Sequence, residues 1–290
     1  CYYCACNKIV TRQTDKAAEY LRYLEQEMAH LAPRFAGRTV TQLHWGGGTP
    51  TYLKPDEIRQ LMAMLRHYFH FADEGEISIE VDPREIDLSL LDVLKEVGFN
   101  RLSLGVQDFD KSVQVAVNRV QDNDFIRALL MRAKDLGFRS TNLDLIYGLP
   151  LQTRASFRHT LEQVVQTAPA RLSIFNYAHL PSRFAGQHKI KDETLPPPAE
   201  KLAILQETIE YLTGEGYQYI GMDHFALPDD ELAVAQREGK LHRNFQGYTT
   251  QGECDLLGLG VSSISMLGDA YSQNQKDLKL YYAAVTAQGQ

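Results

Sequence analysis

The 290-residue chain has only four cysteines, and three of them, Cys1, Cys4 and Cys6, fall within its first six residues. It lacks a secretory segment and any stretch long and apolar enough to span a membrane, so a cytoplasmic protein with no membrane partner is expected. With Cys254 the one remaining thiol, a disulfide framework is the weaker reading of the cysteines. The sequence also lacks a basic run, and 30 Lys and Arg against 37 Asp and Glu leave a formal net charge of -7. Nucleic-acid surfaces need clustered cations to neutralise phosphates, so no nucleic-acid partner is expected. Low-complexity tracts are missing too, and 44% hydrophobic with 23% charged residues is an ordinary globular composition. The length suits one large α/β domain or one domain with an appendage. The chain opens on cysteine instead of methionine and is read as an internal fragment of a longer protein.

What is present is a soft βα repeat. Apolar residues recur at helical spacing in Leu21, Leu24, Met28 and Leu31, and again in Leu88, Leu91, Leu94 and Val97. The same spacing returns in Phe125, Ile126, Leu129, Leu130, Ala133 and Leu136, and in Leu202, Leu205, Ile209 and Leu212. Several predicted helices stop at glycine and re-enter a strand through an aromatic: Gly98-Phe99, Gly137-Phe138 and Gly216-Tyr217. Helix, glycine stop, strand and turn in this order predict βα units around a parallel sheet.

Strands are predicted near 40–45, 77–81, 102–106, 142–146, 171–177 and 217–222. Successive strand residues point to opposite faces. Ile77, Ile79 and Val81 therefore oppose Ser78, Glu80 and Asp82; Leu102, Leu104 and Val106 oppose Ser103, Gly105 and Gln107; Leu143 and Leu145 oppose Asn142 and Asp144. A closed barrel normally fills its interior with Val, Ile and Leu. Here the apolar face is the one that helices would cover, and the inner face is polar. Unpaired buried polar groups are costly, so a sheet curved around a polar ligand is predicted. An antiparallel sheet with one wet face is the alternative, but the intervening helices require crossovers. The segment 187–200, with Pro196-Pro197-Pro198, reads as an exposed connection between a barrel core, 1–186, and less regular α/β elements, 187–290.

Three thiols this close together can converge on one metal centre, as in iron–sulfur sites. Zinc competes, but a structural zinc site wants a second Cys or His pair at matched spacing, and Cys254 alone does not supply it. The glycines of His44-Trp45-Gly46-Gly47-Gly48-Thr49-Pro50-Thr51 let backbone approach a ligand. That turn has neither the Lys-Ser/Thr ending of a phosphate loop nor dinucleotide-fold spacing. His44 reads as a hydrogen-bonded neighbour of the site, and His224 has no assigned role.

Cys1-Tyr-Tyr-Cys4, Gly46-Gly47-Gly48-Thr49-Pro50-Thr51 and the strand carrying Glu80 resemble the radical S-adenosylmethionine (SAM) enzymes. Gly-Val-Gln107-Asp, Asn118-Arg119, Asp144-Leu-Ile-Tyr-Gly-Leu-Pro150 and Asn244-Phe-Gln-Gly-Tyr-Thr narrow the resemblance to the oxygen-independent coproporphyrinogen III oxidases of haem biosynthesis. It extends over essentially the whole chain. Cys6 resembles this family, whereas the related haem-chaperone branch usually carries an aromatic there. A haem-binding paralogue with a cluster and no oxidase activity is the alternative, and a zinc-binding βα protein a more distant one.

The resemblance implies an α/β fold, a partial, open parallel βα barrel, here without its first strand. It implies a 4Fe–4S cluster on three cysteines, of which Cys1 and Cys4 would be the second and third. The first would lie four residues before Cys1, outside the chain, as would an N-terminal strand and a C-terminal domain, so the fragment by itself is expected to be inactive. Cys6 is a possible supporting residue. Gly47, Glu80 and Ile264 match contacts to a cluster-bound SAM. Tyr3, Gly48, Thr49, Gln107, Arg119, Asp144 and Ala178 match contacts to a second SAM. Glu80 and Asp144 could accept from an ammonium or ribose hydroxyls and Arg119 could clamp a carboxylate; an ion pair with a structural Arg or Lys is the alternative for the two acids. Ala178 and Ile264 rest on the resemblance alone.

The implied activity is oxidative decarboxylation of two propionates of coproporphyrinogen III to vinyl groups, giving protoporphyrinogen IX. One electron from the reduced cluster would cleave SAM to a 5′-deoxyadenosyl radical that removes a hydrogen from the propionate β-carbon. The cofactor supplies the hard chemistry and the protein positions it. The implied partners are coproporphyrinogen III and an unidentified electron donor, with a monomer expected. Arg34, Arg38, Arg183, Lys189 and Arg243 are candidate cations for the substrate carboxylates.

Overall fold

Residues 1–11, 13, 15–84 and 86–288 are described by the structure, a computed structural model, and every candidate site residue lies among them. Helix α1 (Asp15–Leu31) buries Leu21, Leu24 and Met28, the stripe its periodicity predicts. Strands β1 (Thr39–Trp45), β2 (His70–Val81), β3 (Arg101–Gln107), β4 (Ser140–Tyr147) and β5 (Arg171–Asn176) then succeed one another as parallel neighbours. Parallel neighbours need crossovers. These are α2 (Pro55–Tyr68), α3 (Ser89–Glu96), a short α4 (Lys111–Ala116) with α5 (Asn123–Asp135), and α6 (Arg154–Thr167). Gly98, Gly137 and Gly216 take the positive φ expected of helix stops, at 106°, 70° and 94°.

After α7 (Pro198–Gly214) the chain adds β6 (Gln218–Gly221) and β7 (His224–Ala226), completing a 7-stranded sheet of order β1-β2-β3-β4-β5-β7-β6. β7 runs antiparallel to both of its neighbours. Past the proline-rich connection the sheet leaves the parallel pattern, because the link from Gly221 to His224 is far too short for a crossover. The whole is a mostly parallel sheet curled into a half-barrel.

The predicted two-faced alternation is realised. Ile77, Ile79, Val81, Leu102, Leu104, Val106, Leu143, Leu145, Leu172 and Ile174 form one buried cluster with the helix stripes of Leu91, Leu94, Ile126, Leu129 and Leu161. Each such side chain contributes roughly 1.5–3 kcal/mol on leaving water. At the N-terminal ends of the strands, Arg171 meets Asp230 at 2.9 Å and Arg101 meets Glu231 at 2.7 Å.

Beyond the sheet lie α8 (Glu231–Arg237), a hairpin of β8 (His242–Asn244) and β9 (Gly247–Thr249), a ribbon of β10 (Ile264–Leu267) and β11 (Ala270–Gln273), and α9 (Leu278–Gln288). A buried carboxylate ties this part to α1. Glu27 accepts from Gly260 N (2.8 Å), Tyr281 Oη (2.7 Å) and Asn274 Nδ2 (2.6 Å).

Three expectations change. β2 begins at His70 instead of near 77, because an exposed polar stretch pairs with Thr39 and Val40 ahead of the alternating run. Leu202 is 66% exposed, and α7 buries Ile204, Thr208 and Leu212, since it packs against α6 and its inward stripe is rotated. The segment 187–200 is not simply exposed: Gln187 and Ile190 are buried, and Pro196 with them. Among the described residues no helix is long and apolar enough to cross a membrane.

Candidate functional site

The polar faces of β2 to β5 form one continuous inner wall. Register places Glu80 beside Ser103, Ser103 beside Asn142, and Asp144 beside Ser173. Their side chains interlock: Asn142 Nδ2 donates to Ser103 Oγ (2.9 Å) and Asp144 Oδ1 (2.7 Å), Ser103 donates to Asp144 Oδ2 (3.1 Å), and Ser173 donates to Asn142 Oδ1 (3.2 Å). Asp144 is surrounded by neutral donors and has no ion-pair partner among the described residues. Burial, with the nearby Glu80 charge, pushes its pKa up to about 6.

Glu80 accepts from Gly47 N at 3.1 Å and lies 3.4 Å from His44 Nε2, while His44 Nδ1 is 2.8 Å from Ser78 Oγ. Burial pushes the Glu80 carboxyl up, but His44 and the Gly47 N–H outweigh it and hold it below its usual range. Among the described residues neither acid has the Arg or Lys partner that a structural ion pair would supply. His44 is the hydrogen-bonding neighbour the sequence suggests. Gly46 is required for this arrangement, because a Cβ there would sit 2.6 Å from His44 Nε2 and 2.8 Å from Glu80 Oε1. Gly47 and Gly48 take φ of 79° and 64° with nothing within 4 Å of a Cβ position, so the turn presents bare backbone to open space next to Glu80; Thr49 follows in extended conformation.

Across the wall, Gln107 ends β3 at φ 69°, just after a bulge at Gly105. Arg119 is buried beneath it. Its Nη1 lies 3.3 Å from Asp82 Oδ2 and donates to Cys1 Sγ at 3.3 Å, and its Nη2 donates to the Gly105 carbonyl. The expectation of a free guanidinium clamp is thus modified: Arg119 is shared between a carboxylate and a cysteine sulfur. Burial raises Asp82, yet Arg84 and Arg119 together hold it below its usual range.

The cysteines lie on an irregular segment fixed from both sides. Tyr2 N donates to Val117 O (2.9 Å), and Gln187 Nε2 donates to Tyr3 O (3.0 Å). Tyr2 and Tyr3 pack on the buried cluster of Val113, Val117, Leu149, Tyr177 and Ile190. Hydrogen bonding with Cys6, with Lys8 beside it, holds the Cys4 thiol well below its ordinary pKa, and the exposed Cys6 is raised in turn. Among the described residues no three His, Cys, Asp or Glu side chains converge as a metal site.

Ala178 lines a cavity of about 220 Å³ with Tyr3, Phe175, Leu180 and Gln187. Ile264 opens the separate β10–β11 ribbon, with its backbone against Gly258. Of the candidate cations, Arg38 is committed to Asp255 and Lys189 lies 5.0 Å over the Tyr2 ring. Sequence reasoning missed Gln187, which stands in a proline-rich connection with no periodicity to flag it, and did not single out Ser173 and Phe175, although the strand phase of 171–177 would place both inward.

An open half-barrel with paired cysteines at its C-terminal rim and a polar wall is the architecture of a radical SAM protein, and the Radical SAM superfamily model matches residues 1–164. The oxygen-independent coproporphyrinogen III oxidase of Escherichia coli K12 is 67% identical over 289 residues, and the one from Thermostichus vulcanus is 52% identical over 219. The alignments cover 100% and 76% of this chain, and 63% and 67% of those proteins. The solved structure of E. coli coproporphyrinogen III oxidase (HemN), described as a radical SAM enzyme, superposes with a TM-score of 0.98 at 67% identity, covering 100% of this chain and 67% of that one. The chain belongs to the radical SAM superfamily and, within it, to the oxygen-independent coproporphyrinogen III oxidase family.

Proposed function

We propose that the protein of which this chain is the barrel converts coproporphyrinogen III to protoporphyrinogen IX without oxygen, by oxidative decarboxylation of two propionates. The observation that carries this reading is the 67% identity, over all of this chain, to relatives bearing that name. The haem-delivery alternative gains nothing from these relatives.

The donor set fits the cofactors that the family implies. Cys1 and Cys4 are soft donors suited to two positions of such a cluster, and the bare backbone at Gly47 and Gly48 opens next to the Glu80 carboxylate. When bound, a 4Fe–4S cluster and SAM supply a carbon radical able to take hydrogen from an unactivated C–H bond. The chain's own residues bind and orient. Gly47, Glu80 and Ile264 would hold the SAM at the cluster, with His44 aiming Glu80. Tyr3, Gly48, Thr49, Gln107, Arg119, Asp144 and Ala178 would hold a second SAM. Arg119 would also donate to the Cys1 sulfur, a contact that sets cluster electronics. Cys6 supports Cys4. Residues 1–186 form the barrel core and 187–290 its continuation. A separate one-electron donor acts on the monomeric, cytoplasmic protein.

The test uses the full-length protein, reconstituted and reduced without oxygen, with SAM and coproporphyrinogen III. Formation of both 5′-deoxyadenosine and protoporphyrinogen IX establishes the proposal. Deoxyadenosine without vinyl product moves the substrate elsewhere. Neither product from a protein with an intact cluster turns the assignment to haem delivery.

A further inference from the structure

The inner wall carries a polar residue that neither the cofactor sites nor the wall's own hydrogen bonds use. Ser173 pairs with His224 in the β5–β7 ladder, and directly opposed strand residues point to the same face. His224 therefore stands in the inner layer beyond Ser173 and Asp144. Its ring is held edge-on by Phe175 at 6.2 Å and Tyr248 at 5.2 Å. Nδ1 is buried without a partner, and among the described residues Nε2 makes no hydrogen bond either. Burial, aided by the charges of Arg243 and Arg171, lowers its pKa to about 4. The ring is thus neutral at physiological pH, with one donor and one acceptor. Ser103, Asn142, Asp144 and Ser173 satisfy one another, so the open ring beside them stands out.

Arg243 completes the picture. It lies 5.8 Å over the Tyr248 ring, its cross-strand partner, and forms no ion pair among the described residues. Asp223 is the nearby carboxyl; burial raises its pKa more than Arg243 lowers it, and among the described residues no ion pair joins the two. Phe175, 37% exposed, faces the cavity that holds Tyr3 and Ala178. A neutral hydrogen-bonding ring, an unpaired guanidinium and an exposed aromatic face together suit a carboxylate carried on a flat, apolar ring.

We propose that His224 and Arg243 form a subsite for one propionate carboxylate of the tetrapyrrole, with Phe175 against its pyrrole. This rests on the function proposed above. Arg243 supplies the charge, and His224 donates to the second carboxylate oxygen and fixes which propionate faces the reacting centre.

The experiment compares full-length wild type with Arg243→Gln, His224→Phe and His224→Gln. It measures steady-state KM for coproporphyrinogen III, affinity of the cluster-free protein for coproporphyrin III by fluorescence, and SAM affinity. Arg243→Gln is expected to raise KM and weaken porphyrin binding by about tenfold to a hundredfold. His224→Phe is expected to do so by about threefold to thirtyfold, and His224→Gln, which keeps a donor, to recover most of that loss. SAM affinity stays at the wild-type value. Unchanged KM and porphyrin affinity in Arg243→Gln, an exposed position whose variant folds, would overturn the subsite. So would a loss of SAM affinity in place of substrate affinity. A wild type that makes no vinyl product removes the functional proposal itself, a result distinct from either.

Discussion

Gln187 donates its side-chain amide to the carbonyl of Tyr3 across 3.0 Å, although 184 positions separate them in the chain. Its oxygen meanwhile accepts from Leu180 N at 2.6 Å. One buried amide thus joins the strap after β5 to the backbone between Cys1 and Cys4. Gln187→Ala should leave a part-buried carbonyl and N–H without their partner and cost about 1–2 kcal/mol. Hydrogen exchange should show faster exchange in residues 1–8 while β3 and β4 keep their protection; uniform exchange across the chain would refute the link.

Arg119 and Asp82 form a largely buried pair, with side chains 8% and 14% exposed. Asp82 also pairs with Arg84, so it is removal of Asp82 that strands the buried guanidinium. Asp82→Asn should destabilise the cluster-free protein by roughly 3–5 kcal/mol in urea titration, and Asp82→Asn with Arg119→Met by clearly less. Equal losses in the single and double variants would show that the pair is not coupled.

Asp144 titrates in the wrong place for a carboxylate. Its folded pKa of about 6 exceeds its unfolded value, so the folded state holds the proton longer. Stability should fall as pH rises from about 4 through about 6, as the group is forced to ionise. Asp144→Asn should remove that slope and melt higher than wild type at pH 8, while binding SAM more weakly. A variant with the wild-type slope would locate the titration elsewhere.

Glu27 satisfies two buried donors and the part-buried Asn274 amide, so Glu27→Ala should cost about 2–4 kcal/mol, whereas Tyr281→Phe should cost about 1. The cheap observable is limited proteolysis: cleavage should appear in 255–275 in Glu27→Ala before the barrel is cut.

Helix α7 gives a sharp contrast. Leu212→Ala removes a fully buried side chain and should lose about 2–5 kcal/mol, while Leu202→Ala at an exposed position should stay within about 0.5 kcal/mol of wild type. Similar melting temperatures for the two would mean that the helix is rotated from its described packing.

The sequence made some of this legible and hid the rest for physical reasons. Period-two alternation exposed the inward phase of Glu80, Ser103 and Asp144, because a strand has two faces and only one can meet helices. Glycine marked the helix stops at Gly98, Gly137 and Gly216 for the same kind of local reason. The antiparallel turn of β7 was not legible, since the two residues between Gly221 and His224 carry no signal for which strand they will join. His224 and Gln187 were equally silent: one is read only through its register with Ser173, the other only through a contact across almost the whole barrel. Leu202 misled because periodicity gives spacing without saying which turn of the helix faces its neighbour.

The polar inner wall has a thermodynamic consequence. Hydroxyls, amides and carboxylates hold water tightly, so filling the half-barrel exchanges one set of hydrogen bonds for another and covers little hydrocarbon. Loading this wall should therefore release heat with only a small change in heat capacity, unlike the docking of an apolar ligand on grease. Selectivity then comes from matching the spacing of donors and acceptors along β2 to β5. A molecule of the right size with one group misplaced leaves a polar atom stranded and is rejected by far more than a missing methyl would cost.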